Sequence, residues 1–141
     1  MIQRVQTIWL LLAAIAGFLF TQLPTYVASS AGVVSRRFLP TENLLMFALA
    51  VLAGILGLAA IFLFKNRPLQ KTISNLGSLL CVALLGIEVW QMAKFEEANP
   101  ALKTSYYWGA LLPIAMIIFF ILAVINIRKD EKLIKSLDRF R

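Results

Sequence analysis

The chain has 141 residues, of which 60% are hydrophobic and only 15% are charged, with a formal net charge of +7. This composition excludes a soluble globular domain, because the apolar residues are grouped into long runs that a soluble fold of this length cannot bury. Histidine is absent and Cys81 is the single cysteine. The sequence therefore lacks the commonest metal ligand and cannot form an internal disulfide.

Four apolar runs are long enough to cross a membrane. The hydrocarbon core is about 30 Å thick, and about 20 residues of α-helix cross it. A lone span in lipid must satisfy its own backbone hydrogen bonds, which favours helices. We therefore predict an all-α fold: a single domain forming a membrane four-helix bundle, with two antiparallel hairpins and an amphipathic C-terminal helix. The predicted spans are residues 5–23, 44–64, 72–93 and 106–127, followed by a tail at 128–141.

The first run also has the parts of a signal peptide. A basic start and an apolar stretch precede a small-residue segment, Ala28-Ser29-Ser30-Ala31. We interpret the run as a span, because its apolar stretch of about 19 residues is longer than the usual hydrophobic region of a signal peptide. Its basic start is also weak, since it contains Arg4 alone.

Small residues recur at a spacing of four in the first two spans. Such pairs lie on one face of a helix and let two helix backbones approach closely. We expect them to pack helices inside the bundle, with contact to another membrane protein or a second copy as the alternative. The pairs are Ala13 with Gly17, Ala50 with Gly54, and Ala53 with Gly57.

The third span contains one charge, Glu88. An ionisable residue inside a span is costly and usually has a reason. The functional hypothesis is a proton or cation site. The structural hypothesis, which we favour, is that Glu88 reaches headgroup water or pairs with Lys94 or a loop arginine. At about 100° per residue, one polar face of this helix is predicted to contain Ser74, Gly77, Ser78, Cys81 and Glu88.

Basic residues set the orientation. Ten of the fourteen Lys and Arg residues lie at the N-terminus, in the loop between the second and third spans, and in the tail. The positive-inside rule therefore places both termini in the cytoplasm. We assign the net charge to topology and to anionic lipid headgroups, and expect no nucleic-acid binding. The four basic residues on the outer side are Arg36, Arg37, Lys94 and Lys103.

The tail has the pattern of an amphipathic helix, with Leu133, Ile134, Leu137 and Phe140 on one side. Such a helix either continues the fourth span or lies on the inner membrane surface. We expect it to anchor on headgroups or to dock on a cytoplasmic partner. Its candidate contact residues are Arg128, Lys129, Lys132, Lys135, Arg139 and Arg141.

Both ends of the sequence are distinctive. The segments are Met1-Ile2-Gln3-Arg4-Val5-Gln6-Thr7-Ile8-Trp9-Leu10-Leu11-Leu12-Ala13-Ala14 and Asp130-Glu131-Lys132-Leu133-Ile134-Lys135-Ser136-Leu137-Asp138-Arg139-Phe140-Arg141. Together with the four-span layout, the two ends resemble domain of unknown function family 4293. The resemblance implies a small four-helix protein of the inner membrane of Bacteroidetes-type bacteria. It implies no activity and no catalytic or ligand residue.

The sequence also limits the function. It has no nucleotide-binding glycine loop, no nucleophile paired with a base, and no metal-ligand spacing. We therefore expect no enzyme activity, no cofactor and no metal. The leading hypothesis is an inner-membrane accessory or scaffold protein that packs against a membrane or cytoplasmic partner. The alternative is a small oligomeric transporter or channel that uses the Glu88 face.

Overall fold

The computed structural model describes residues 3–138 of the chain, with side chains described for residues 5–137. Four helices make up most of it. The helices follow the apolar runs, but their ends differ from the predicted spans. The third helix extends beyond its predicted span at both ends, the fourth both starts later and ends later, and the first two end earlier. The helices are α1 (Gln3–Phe20), α2 (Leu44–Phe62), α3 (Arg67–Ala98) and α4 (Leu112–Asp138).

Each helix packs against two others. α1 contacts α2 and α4, and α3 contacts the same two helices from the other side. The centre is filled by large apolar side chains that are fully buried, including Leu10, Met116 and Phe120.

Two asparagines begin the second and third helices. The side-chain oxygen of Asn43 accepts hydrogen bonds from the backbone N–H groups of Leu45 and Met46. Asn66 caps α3 in the same way, and Pro68 follows it in the first turn, where a missing N–H costs nothing. The loop between α2 and α3 is therefore only 63–66, which forces the two helices to run antiparallel.

A small sheet covers one end of the helices, so the prediction of an all-α fold is wrong in this respect. The three antiparallel strands have the order β2-β1-β3, with Tyr26 paired to both Phe38 and Tyr106. A two-residue turn, Ala31–Gly32, joins the first two strands, and both of its residues have positive φ, as a type I′ hairpin turn requires. The strands are β1 (Tyr26–Ser30), β2 (Val33–Phe38) and β3 (Lys103–Tyr106).

Aromatic stacking attaches the sheet to the end of α3. The rings of Tyr26 and Phe38 stack with centroids 4.4 Å apart, and Phe38 meets Phe95 of α3 edge-on at 4.6 Å. Tyr26 is buried in this small core. The segment Ala28–Ala31 that resembles a signal-peptidase site lies in the central strand and the turn after it.

Three helical stretches are long and apolar enough to cross a membrane, judged by length and composition. They are α2, α3 and the stretch Trp108–Leu137, which joins a short 3-10 turn to α4. The described apolar part of α1, Val5–Phe20, is shorter than the other three stretches and too short to count as a candidate span by itself. The number of candidate spans in the described residues is therefore three, against the four that the sequence predicts.

Candidate functional site

Glu88 is buried on the inner side of α3. Its side chain is 1% exposed, and neither carboxylate oxygen has a hydrogen-bond partner among the described residues. The structural hypothesis of a pairing with Lys94 is wrong, because the Lys94 ammonium lies over the ring of Trp90, 5.1 Å from its centroid. An unpaired buried carboxylate is costly, so its position requires an explanation.

The predicted polar face of α3 is mostly buried, but it is not continuous. Ser74, Cys81 and Glu88 are buried, and Ser78 is half-buried. Ser74 donates its hydroxyl to the Gln70 carbonyl, and Ser78 donates to the Asn75 carbonyl, so both are satisfied within their own helix. Glu88 is the residue of this face whose oxygen atoms are buried without a hydrogen-bond partner among the described residues.

A groove of about 600 Å³ opens beside Glu88. One wall is α3, and the other is the stretch from the end of β3 through the 3-10 turn to the first residues of α4. The part of the groove formed by the helices is apolar apart from Glu88. Its wall residues on the helices are Leu85, Val89, Ala110, Leu111 and Ile114.

Three consecutive aromatic residues, Tyr106, Tyr107 and Trp108, line the groove at the sheet end of the molecule. Trp108 is 71% exposed, and the two tyrosines are exposed as well. The Gly109 N–H donates to the Pro24 carbonyl at 3.0 Å, and Tyr107 donates its N–H to Thr25 at 2.8 Å. These bonds fix the aromatic segment against the loop after α1. The sequence contains no signal that these three aromatic residues share a groove with Glu88.

Tyr26 lies on the sheet side of this region, outside the spans. Burial raises the pKa of its hydroxyl above the ordinary range, and the Glu42 carboxylate raises it further, while Arg36 opposes both. Glu88 adds a smaller effect of the same sign as Glu42. The Tyr26 phenol is therefore neutral at physiological pH and is not a counter-charge for Glu88.

A second cavity, of about 510 Å³, lies between the sheet and the facing ends of α2 and α3. It is more polar than the groove, but its charges already have partners. Glu42 pairs with Arg36 at 2.9 Å, and Lys94 lies over Trp90. The cavity therefore contains no described charged group that lacks a partner.

Small residues lie at the contact between α1 and α2. A Cβ on Gly17 would lie 3.1 Å from the Ala50 carbonyl oxygen and from the Gly54 backbone, and a Cβ on Gly57 would lie 3.2 Å from the Leu10 carbonyl oxygen. Ala13, Ala50 and Ala53 are fully buried. All six residues are therefore buried inside the helix bundle, and the three glycines bring α1 and α2 close together.

The tail continues α4 without a break to Asp138, which supports the first of the two sequence alternatives. Lys71 and Glu131 form an ion pair at 3.3 Å that ties α4 to the start of α3. Beyond it, Leu133, Ile134 and Leu137 are exposed on the same helix. Arg128, Lys129, Lys132 and Lys135 are exposed too, while Arg139 and Arg141 lie outside the described residues.

Three buried polar residues at the tail end were missed. Gln6, Gln70 and Asp130 are each at most 5% exposed. Gln70 donates its amide to the Ala60 carbonyl, but its oxygen, both carboxylate oxygens of Asp130 and both amide atoms of Gln6 have no partner among the described residues. The sequence contains no signal for this, because polar residues next to a basic helix end are expected at headgroup level.

Residues 2–140 match a sequence family described as a domain of unknown function (DUF4293). The chain belongs to this family. The match covers nearly the whole chain and confirms the resemblance found in the two ends of the sequence. No curated protein and no solved structure matches the DUF4293 chain.

Proposed function

We propose that this DUF4293 protein is a non-enzymatic accessory protein of a bacterial inner membrane, with four spans and both termini in the cytoplasm, that docks a partner protein on the end of α4. The observation that carries the proposal is the exposed apolar stripe of Leu133, Ile134 and Leu137. The proposal of no enzymatic activity depends on the sequence, which has no histidine and no nucleophile paired with a base.

Four spans are supported by the packing of α1. Gly17 approaches Ala50 and Gly54, and Leu10 approaches Gly57, so α1 runs alongside α2 for about two turns. α1 also packs along α4. Its 18 residues are about 27 Å long, close to the hydrocarbon thickness of about 30 Å, which supports a crossing by α1 beside the two candidate spans.

The continuity of α4 supports a position of the stripe beyond the lipid. Trp108–Leu137 contains 30 residues and is about 45 Å long, whereas the hydrocarbon core is about 30 Å thick. With Trp108 at one edge of the core, the other edge falls near Arg128. Leu137 is then about 13 Å farther along the axis, beyond a headgroup layer of about 5–7 Å. A straight continuation cannot also lie flat on the membrane surface.

Charge supports an acidic partner. Asp130 is buried and Glu131 is paired with Lys71. Among the residues whose side chains are described, the surface around the stripe therefore presents the exposed lysines Lys132 and Lys135. An acidic amphipathic segment of a cytoplasmic protein would bury the stripe and pair with these lysines.

The test is photocrosslinking in cells at native abundance. A photoreactive amino acid at Leu137 should form an adduct with one cytoplasmic protein, through an acidic segment found by sequencing the crosslinked peptide. The double variant Lys132→Glu/Lys135→Glu should reduce that adduct at least about tenfold, because it reverses the charge of the docking surface.

The matched control is the same photoreactive residue at Val33, which is equally exposed at the opposite end of the molecule and should not form this adduct. Adducts only to lipid at Leu137, or an adduct that the charge reversal leaves unchanged, would contradict the proposal.

The alternative of a transporter or channel is less well supported. The groove beside Glu88 opens sideways between α3 and α4, and the centre of the helices is filled by Leu10, Met116 and Phe120. A transport path would have to lie between copies of the chain.

A further inference from the structure

The groove beside Glu88 combines one buried acid with apolar walls and an aromatic rim. The two ion pairs in the described part of the chain are Arg36 with Glu42 and Lys71 with Glu131, so neither involves Glu88. Both of its oxygens lack hydrogen bonds there. The missing component is a hydrogen-bond donor, and a positively charged donor would balance the charge as well.

The walls give the groove a direction. α3 ends at the sheet and α4 begins there. Leu85, one turn before Glu88, and Ile114, one turn after Ala110, are therefore farther from the sheet than Glu88 and Ala110 are. The apolar part of the groove extends away from the sheet. The aromatic rim lies at the sheet end. A molecule that fits this arrangement has its polar group near Glu88 and its apolar chain directed toward the middle of the spans.

The rim residues favour a cation over a neutral donor. The faces of tryptophan and tyrosine rings attract ammonium groups, most strongly where water is excluded. Tyr106, Tyr107 and Trp108 all line the groove within reach of the same opening. An ammonium also supplies three donors to a carboxylate, whereas a hydroxyl supplies one.

We propose that this groove binds an amphiphile that carries an amine, with its ammonium group on the Glu88 carboxylate and its apolar chain against Leu85, Val89 and Ile114. Because Glu88 is 1% exposed, the polar group enters when an exposed rim side chain changes rotamer. The site is independent of the docking surface on the tail, since the two lie at opposite ends of α4.

The first experiment compares two probes of equal chain length, dodecylamine and dodecanol, on the protein in phosphatidylcholine nanodiscs. Thermal unfolding is followed as each probe is added, because a ligand that binds only the folded state raises the midpoint. We expect the amine to act at a concentration at least about tenfold lower than the alcohol, as charged hydrogen bonds allow. Equal potency of the two probes would overturn the proposal without the use of any variant.

The second experiment uses variants. Glu88→Gln keeps the size of the side chain and removes the charge, and it should abolish the preference for the amine. Glu97→Gln removes an exposed acid from the same helix and should leave the preference unchanged. Trp108→Ala should weaken amine binding several-fold. If Glu88→Gln does not fold, Trp108→Ala still tests the proposal, because Trp108 is exposed and its replacement should not prevent folding. An affinity for the amine that Trp108→Ala leaves unchanged would then count against the proposal.

The source of the amine is decided by native mass spectrometry. Protein from nanodiscs that contain equal amounts of phosphatidylethanolamine and phosphatidylglycerol should retain the amine lipid if a membrane lipid is the ligand. Retention of neither lipid, together with tight dodecylamine binding, identifies a free hydrophobic amine. Retention of phosphatidylglycerol in preference to phosphatidylethanolamine would contradict the role of Glu88.

Discussion

Gly109 is the residue at which the backbone leaves least room for a side chain. A Cβ there would overlap the carbonyl oxygen of Pro24, which also accepts the Gly109 N–H. The contact is between two backbones, so neither can move without displacing the segment that carries Trp108. We expect Gly109→Ala to lower the free energy of unfolding by about 1–3 kcal/mol, measured by reversible unfolding in mild detergent.

Gly86 provides the matched control. It lies inside α3, and a Cβ built on it has no neighbour within 4 Å. Gly86→Ala should therefore stabilise the protein by about 0.5–1 kcal/mol, since alanine is the better helix former. Opposite signs for the two substitutions would show that packing at Gly109, and not the loss of a glycine as such, causes the effect; two losses of similar size would contradict this argument.

The sequence identifies buried polar residues unevenly. Glu88 stands out because it interrupts an otherwise uncharged run, and the structure places it in a groove. Gln6 and Gln70 are equally buried, but they lie near basic residues, where a polar side chain is ordinary. Their burial depends on which helices pack together at the tail end of the molecule. A local sequence pattern does not show which distant helices pack together.

The helices could be predicted wherever a long apolar run determines their position. The cores of α2, α3 and α4 coincide with the apolar runs, because an uncharged run of this length has no other stable form in lipid. Their ends were not predictable to the residue. Asn66 and Pro68, just beyond the second run, begin α3. The tail continues α4, and there Lys71 pairs with Glu131 across the two helices.

The sheet was missed for a physical reason. β3 joins β1 from more than seventy residues away, with Ser29 opposite Lys103, and the pairing requires the helices to bring the strands together first. Its hairpin turn is Ala31–Gly32, which lacks the Asn-Gly or Asp-Gly pair that marks such turns most clearly. The β-branched pair Val33 and Val34 was the one local signal.

The contact between α1 and α2 depends on small residues on both helices. A Cβ on Gly17 already lies 3.1 Å from the backbone of α2, so the two further methyl groups of valine require the helices to separate. We expect Gly17→Val to lower the unfolding free energy by about 1–3 kcal/mol, measured by thermal unfolding in the same detergent.

Leu19→Val is the control for Gly17→Val, because it introduces the same β-branched side chain into α1 at an exposed position and should have an effect within about 0.5 kcal/mol. If the small residues served contact with another protein instead, Gly17→Val would leave the isolated chain as stable as the control does.

At the scale of the whole molecule, the sheet closes one end of the helices and the basic residues gather at the other. Four basic residues lie at the sheet end: Arg36, Arg37, Lys94 and Lys103. The other ten lie at the opposite end of the helices or next to that end in the sequence. α4 connects the two ends, since the groove lies at its start and the exposed stripe at its finish. The orientation in the membrane therefore decides which compartment each feature faces.

That orientation is tested by cysteine labelling in a Cys81→Ala background, in which the one buried thiol is removed. Single cysteines replace Val33 in the hairpin, Lys65 between α2 and α3, and Ser136 in the tail, all at exposed positions. In intact spheroplasts an impermeant maleimide should label only the cysteine at position 33, and lysis should expose the other two, as the positive-inside rule requires.

A cysteine in an N-terminal extension should behave like position 136 if α1 crosses the membrane. Labelling of that extension together with position 33 would show that α1 does not cross, and labelling of position 136 in intact spheroplasts would overturn the cytoplasmic location of the tail.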